Sequence, residues 1–180
     1  LPAILKQEVT GFLQDMFTIL KESPDHQFVI GGVNNLSSSF YEPFIDNEQI
    51  SVVYEQTYDL LSHSKVALVA SGTATLETAL FNIPQVVCYR LNKMSAFIVK
   101  LFIKVKYVSL VNLIGNREIV TELLQENFNP TRMKEELDKL LFDKEYLQKM
   151  LAGYDELHDK MGEKGASIRT AREMIKCLKE

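Results

Sequence analysis

An α/β fold, doubly wound around a mostly parallel sheet and followed by a helical tail, is the architecture this sequence predicts. Three observations carry it. Short apolar runs rich in β-branched residues (QFVIG, ISVVY, KVALVA and PQVVCY) recur between segments of helical spacing. These runs are apolar on both faces, as parallel strands are when helices cover each side of the sheet. After Asn112 the strand signal fades and helical patterning continues to the end of the chain. Such alternation implies right-handed βαβ crossovers.

The elements follow in order. Residues 6–21 place Val9, Phe12, Leu13, Phe17 and Leu20 at helical spacing, and Ser23-Pro24-Asp25 stops that helix. Residues 27–31 read as a buried strand. Residues 37–46 hold a helix weakened by Pro43. Strands are expected at 50–54, 65–70, 84–89 and 107–110, with helices at 57–64, 73–81 and 94–104 between them. Helices at 118–126, 131–142, 144–161 and 166–178 complete the chain. Asn129-Pro130-Thr131 divides the first two of these, and the segment 162–165, with a glycine at each end, divides the last two. About five mainly parallel strands are expected, with 65–70 inside the sheet. Residues 1–128 make the α/β unit and residues 129–180 a helical extension packed on it. A doubly wound unit begins with a strand before its first helix, and only five residues precede this one. The first strand, or a whole partner domain, is expected upstream, in keeping with a chain that starts Leu1-Pro2 without methionine.

Composition narrows the function classes. With 180 residues, 46% hydrophobic and 24% charged, the chain can bury an ordinary core. A net charge of -4 gives no overall footprint for nucleic acid. No apolar run reaches the roughly 20 residues of a spanning helix. Cys88 sits in an apolar run and reads as a buried thiol, and two distant cysteines make no disulfide framework, which suits a reducing, cytoplasmic setting. His26, His63 and His158 read as surface residues, and no clustered His/Cys/Asp spacing suggests a metal.

The strongest functional feature is Ser71-Gly72-Thr73, which follows a strand and opens a helix. In an open parallel sheet, ligands bind beyond the carboxyl ends of the strands. A helix N-terminus there presents free N–H groups and the positive end of the helix dipole. Gly72 lets a phosphate approach the backbone, Ser71 and Thr73 add hydroxyls, and Glu77 lies one turn on, placed for a ribose diol. The spacing alone fits a plain N-cap at Ser71 or Thr73, with Glu77 as a first-turn acid, somewhat better than a ligand site.

The runs SGTATLETALFNIPQVVCYR and YVSLVNLIGNREIVTELLQE, in that order, closely resemble the lipid-A-disaccharide synthases. The resemblance spans nearly the whole chain and the C-terminal half of the family's length. It is weakest over residues 32–48 and beyond Leu141. One departure stands out: the family has G-S-R before K-Q-E, whereas Ala3-Ile4-Leu5 precede Lys6-Gln7-Glu8 here. Any phosphate contact of that loop is therefore in question.

The resemblance implies a GT-B glycosyltransferase whose C-terminal, Rossmann-like half binds the nucleotide sugar. It would transfer 2,3-diacylglucosamine from UDP to 2,3-diacylglucosamine 1-phosphate at the cytoplasmic face of the inner membrane. UDP-2,3-diacylglucosamine would be a substrate, with no metal or other cofactor. The catalytic base would lie in an N-terminal half. A non-catalytic nucleotide-binding module, or another UDP-sugar GT-B enzyme, is the alternative.

Further candidates follow the expected strand at 107–110. Asn112, Arg117 and Glu118 would then lie at the carboxyl edge, Arg117 as a bidentate phosphate ligand. Arg90 ends the preceding strand and reaches either the same cleft or a surface partner. Glu122 and Gln125 would share a helix face with Glu118. Residues 94–106 (MSAFIVKLFIKVK) read either as a basic amphipathic helix lying on a membrane or as a core-facing crossover helix.

Overall fold

The computed structural model describes residues 6–34, 36–45, 48–70, 72–89, 106–162 and 165–177. The order of elements is α1 (Lys6–Lys21), β1 (Phe28–Gly32), α2 (Ser38–Tyr41) with a 3-10 turn at Glu42–Phe44, β2 (Ile50–Tyr54), α3 (Thr57–His63) and β3 (Ala67–Ala70). Then come α4 (Thr73–Leu80), β4 (Gln85–Tyr89), α5 (Leu110–Gly115), β5 (Thr121–Leu124), a 3-10 turn at Gln125–Asn127, α6 (Pro130–Phe142), α7 (Lys144–Met161) and α8 (Ala166–Cys177).

Every strand pairing among the described residues is parallel. β1 pairs with β2, from Phe28 opposite Ile50 to Gly32 opposite Tyr54. β3, β4 and β5 form a second sheet in that order, with Ala67 opposite Gln85 and Val86 opposite Thr121. The α/β class therefore holds, but among the described residues β3 borders its sheet instead of lying inside one. In a doubly wound order the strand ahead of α1 would separate β1 from β3. The residues before Lys6 lie outside those described, as does the expected helix at 94–104.

Two assignments change. Residues 107–110 are not a strand: Ser109 caps α5, its Oγ accepting from Asn112 N at 3.2 Å. Residues 118–126 are not a helix but β5 and a 3-10 turn. The apolar spacing of IVTELL fits either period, and pairing with β4 decides for the strand. Asn116, at φ 55°, ends α5 in the left-handed region and redirects the chain into β5.

One buried apolar cluster joins the layers. α1 contributes Val9, Phe12, Leu13, Met16, Ile19 and Leu20, one stripe at helical spacing. Phe12 meets Phe128 with ring centroids 5.8 Å apart. Met133, Leu137 and Leu140 of α6 and Met150, Tyr154 and Leu157 of α7 enter the same cluster as Val86 and Val87 of β4. Each such side chain contributes roughly 1.5–3 kcal/mol by leaving water. Asn129 and Asp143 open α6 and α7 by accepting from Arg132 N and from Glu145 and Tyr146 N.

α7 approaches the β5 layer closely at Gly153. A Cβ there would stand 2.6 Å from Ile119 Cγ2, and one at Gly115 2.6 Å from Ile119 Cδ1. Ile119 is thus wedged between two helices that need glycine. Gly153→Ala should destabilise the protein by about 1–2 kcal/mol in urea melts, because overpacking exceeds the gain in helix propensity. Adding Ile119→Val should recover part of the loss; equal stability of Gly153→Ala and the parent would contradict the wedge.

Candidate functional site

The three parallel strands β3, β4 and β5 leave the sheet on one edge. Ala70 stands opposite Cys88, and Tyr89 opposite Leu124. Gly72 and Gln125 therefore follow strand ends on the same side. Ser71 and Arg90 lie outside the described residues.

Gly72 is the residue that opens α4. It has φ 128° and ψ -163°, a region that side chains avoid, and among the described residues no side-chain oxygen caps the helix. A Cβ at Gly72 would meet no described residue within 4 Å, and the backbone conformation by itself requires glycine. Thr73 is the first helical residue and exposed, so it is not the N-cap that spacing allowed. Glu77, half-buried, follows one turn later. The first turn of α4 thus presents N–H groups and the positive dipole end at the carboxyl edge of the sheet. Gln125 adopts φ 52° directly after β5.

The other candidates fall elsewhere. Arg117 and Glu118 precede β5, at its amino end, because the strand comes after them and not before. Arg117 pairs with Glu156 of α7 at 2.8 Å, both side chains well exposed. Glu122 lies within β5 and shares no helix face with Glu118 or Gln125.

Half-buried Glu122 and buried Asn112 instead form a clamp. The Glu122 carboxylate accepts from Val108 N (2.9 Å), Ser109 N (2.9 Å), Ser109 Oγ (2.7 Å) and Asn112 Nδ2 (2.9 Å). Asn112 is fully buried. Its Nδ2 also donates to Val120 O at 2.8 Å, and its Oδ1 accepts from Ile119 N (2.7 Å) and Val120 N (3.0 Å). These bonds take up both amide hydrogens and both carbonyl lone pairs. The clamp fastens the start of α5 to β5 and sets where residues 108–109 sit.

Two more buried polar groups were not legible in the sequence. Glu136, 2% exposed, accepts from Lys139 Nζ and Tyr146 OH, each at 2.7 Å, and Tyr146 OH also meets Thr121 Oγ1 at 2.7 Å. Gln85, wholly buried, donates to Thr75 O at 2.9 Å and meets Tyr154 OH at 3.3 Å. A glutamate in a helix full of charge, or a glutamine ahead of a strand, carries no distinguishing local pattern. Burial also pushes the Cys88 thiol up to about 12, so it is a core group. Among the described residues, no helix is long and apolar enough to cross a membrane.

The described architecture is that of a Rossmann-like α/β domain of the GT-B kind, with an open helix N-terminus at the carboxyl edge of its sheet. A family model for lipid-A-disaccharide synthetase matches residues 3–175. The chain belongs to that family. It is 34% identical over 177 residues to the lipid-A-disaccharide synthase of Anaeromyxobacter dehalogenans strain 2CP-1, covering 97% of this chain and 46% of that protein. It is 32% identical over 193 residues to the enzyme of that name from Myxococcus xanthus, covering 99% and 48%. A stretch of 104 residues is 41% identical to that of Gluconobacter oxydans, covering 58% and 25%. The chain spans about half the length of the curated relatives it matches at full coverage.

Proposed function

We propose that this chain is the nucleotide-sugar-binding half of a glycosyltransferase acting in lipid A synthesis. The donor is UDP-2,3-diacylglucosamine and the acceptor 2,3-diacylglucosamine 1-phosphate. The acceptor's 6-hydroxyl oxygen bonds to C1 of the donor sugar as the C1–O bond to the diphosphate breaks. UDP leaves with the electron pair, and the hydroxyl proton passes to a base on the N-terminal half of the enzyme.

The observation that carries this reading is the first turn of α4, opened by Gly72 at the carboxyl edge of the sheet, in a chain of this family. Its N–H groups and dipole stabilise the charge that grows on the leaving diphosphate, without a metal. Ser71 and Thr73 add donors, Glu77 takes the ribose hydroxyls, Gln125 follows a strand end on the same edge, and Arg90 is a further phosphate ligand. Asn112 and Glu122 act from behind, by holding residues 108–109. The partner half completes the acceptor site, and acylated substrates place the enzyme on the cytoplasmic face of the inner membrane.

Calorimetry with UDP on the intact protein tests the site. Glu77→Ala removes a charged acceptor, an effect of about 1.5–3 kcal/mol, or roughly tenfold to hundredfold in affinity. Lys149→Ala, an exposed change on α7, should leave binding unchanged. Equal UDP affinity of Glu77→Ala and the parent would remove Glu77 from the site. Gly72→Val is the weaker probe, because φ 128° strains any side chain whether or not UDP binds there.

A second reading, a nucleotide-binding module without transferase activity, is favoured by Ala3-Ile4-Leu5 where the family has G-S-R. Disaccharide formation from the two acylated sugars by the intact protein decides between them.

A further inference from the structure

We propose that Thr75, backed by Gln85 and Tyr154, is a positioning residue that holds the Gly72 turn ready for a diphosphate. The proposal rests on the reading that this turn binds UDP. Thr75 donates to the Gly72 carbonyl twice, from its backbone N at 3.2 Å and from Oγ1 at 2.8 Å. A threonine hydroxyl bonding back along its helix is ordinary, and Thr78 does the same to Ala74 O at 2.7 Å. The Thr75 bond differs in its acceptor. It fixes the carbonyl of the residue at φ 128°, whose orientation decides where the first N–H groups of α4 point.

The support beneath is unusual for an apolar core. Thr75, Gln85 and Tyr154 come from α4, β4 and α7, and all are 0% exposed. Gln85 Nε2 donates to Thr75 O, Tyr154 OH meets Gln85 at 3.3 Å, and Tyr154 OH donates to Ile83 O at 3.3 Å. Gln85 Oε1 is buried with no hydrogen-bond partner among the described residues. Packing alone would be served better by apolar side chains here, since each buried polar group must recover its lost hydration. The chain of bonds instead runs from the core of α7 to the carbonyl of Gly72. Phosphate binding tolerates little displacement of its donors, so a turn braced from the core binds without first being ordered.

The test compares UDP with uridine, which lacks the diphosphate, by calorimetry on the intact protein. Thr75→Val keeps the shape and removes the hydroxyl. It should weaken UDP about fivefold to tenfold and leave uridine unchanged. Thr75→Ser restores the hydroxyl and should return UDP affinity to within about twofold of the parent. Tyr154→Phe, on α7 and linked to Thr75 only through Gln85, should weaken UDP by a smaller factor with uridine again unchanged, and it reports even if Thr75→Val fails to fold. Unchanged UDP affinity in both Thr75→Val and Tyr154→Phe overturns the proposal. So does equal weakening of UDP and uridine, or a Thr75→Ser protein as weak as Thr75→Val. If Glu77→Ala still lowers UDP affinity in those cases, the UDP site stands and only the bracing role falls. If neither Glu77 nor Thr75 affects UDP, the site assignment itself has failed.

Discussion

Asn112→Ala is expected to be the most damaging single change in the described structure outside the apolar core. It strips Ile119 N and Val120 N of their acceptor, and Val120 O and the Glu122 carboxylate of a donor. Water cannot replace them readily, because Asn112, Ile119 and Val120 are buried. Each buried group left without a partner costs about 1–3 kcal/mol, so the two N–H groups alone account for roughly 2–6 kcal/mol. For a chain of this size that lowers the midpoint of thermal unfolding by roughly 5–25 °C. Asn112→Asp separates the two functions of the amide. It keeps the acceptor for Ile119 and Val120 but faces the Glu122 carboxylate with a second carboxylate. It should therefore also melt below the parent, through repulsion between like charges and the loss of the amide donors. A melting point of Asn112→Ala within about 2 °C of the parent would show that the clamp is not structural.

Glu136 should produce the second large effect, with a dependence on pH at both ends. Burial would raise its carboxyl, but the hydrogen bonds from Lys139 and Tyr146 and the Lys139 charge outweigh that and hold it below the usual range. A carboxylate depressed in the folded state contributes stability that is present above its unfolded value of about 4.3. That stability is lost as pH falls through the lower folded value. Tyr146 works in the opposite sense. Burial first, with the neighbouring Glu136 charge assisting, raises it to about 12. Its contribution is present below the ordinary tyrosine value near 10 and lost as pH rises toward 12. Glu136→Ala should therefore lower stability at neutral pH by about 2–3 kcal/mol, the scale of one charged hydrogen bond in a buried network. It should also flatten the acid limb and lower the alkaline transition. Urea melts of parent and variant across the pH range measure all three. Parallel curves would place the stabilisation elsewhere.

Both predictions concern residues whose importance is tertiary. Asn112 stands out in the sequence only as a polar residue within SLVNLIGNRE, which suits a turn or a ligand contact equally well. Its role exists because α5 turns back at Asn116 and lays the amide against the first residues of β5. Arg117 and Glu118 were expected at the carboxyl edge for a related reason. Taking 107–110 as the last strand put everything after it on the binding side. Once 121–124 is the strand, the same residues lie before it, on the opposite edge. The period of a four-residue strand is too short to be read locally when its neighbours are also apolar.

Other features needed no tertiary information. α1 was legible to its ends, because a sixteen-residue stripe at 3.6-residue spacing is followed by Ser23-Pro24. β1 to β4 were legible within two residues at each end, because β-branched runs of this length bounded by polar turns suit little else. The turn at Gly72 was visible as a glycine between a strand and a helix, and its φ of 128° gives the backbone reason for that glycine. Family membership, too, lay in the order of two sequence blocks and needed no coordinates.

The sequence by itself determined the α/β class, the parallel pairing and the position of the open helix N-terminus. These depend on local period, on β-branching and on where glycine interrupts the chain. The tertiary structure alone decided which polar side chains face water and which are buried as clamps. It showed that Glu122 and Asn112 bind each other, that Glu136 sits under Tyr146, and that Thr75 is tied through Gln85 to α7. Hydrogen-bond satisfaction of a buried group depends on partners ten to seventy residues away, and no local pattern of residue types records that distance.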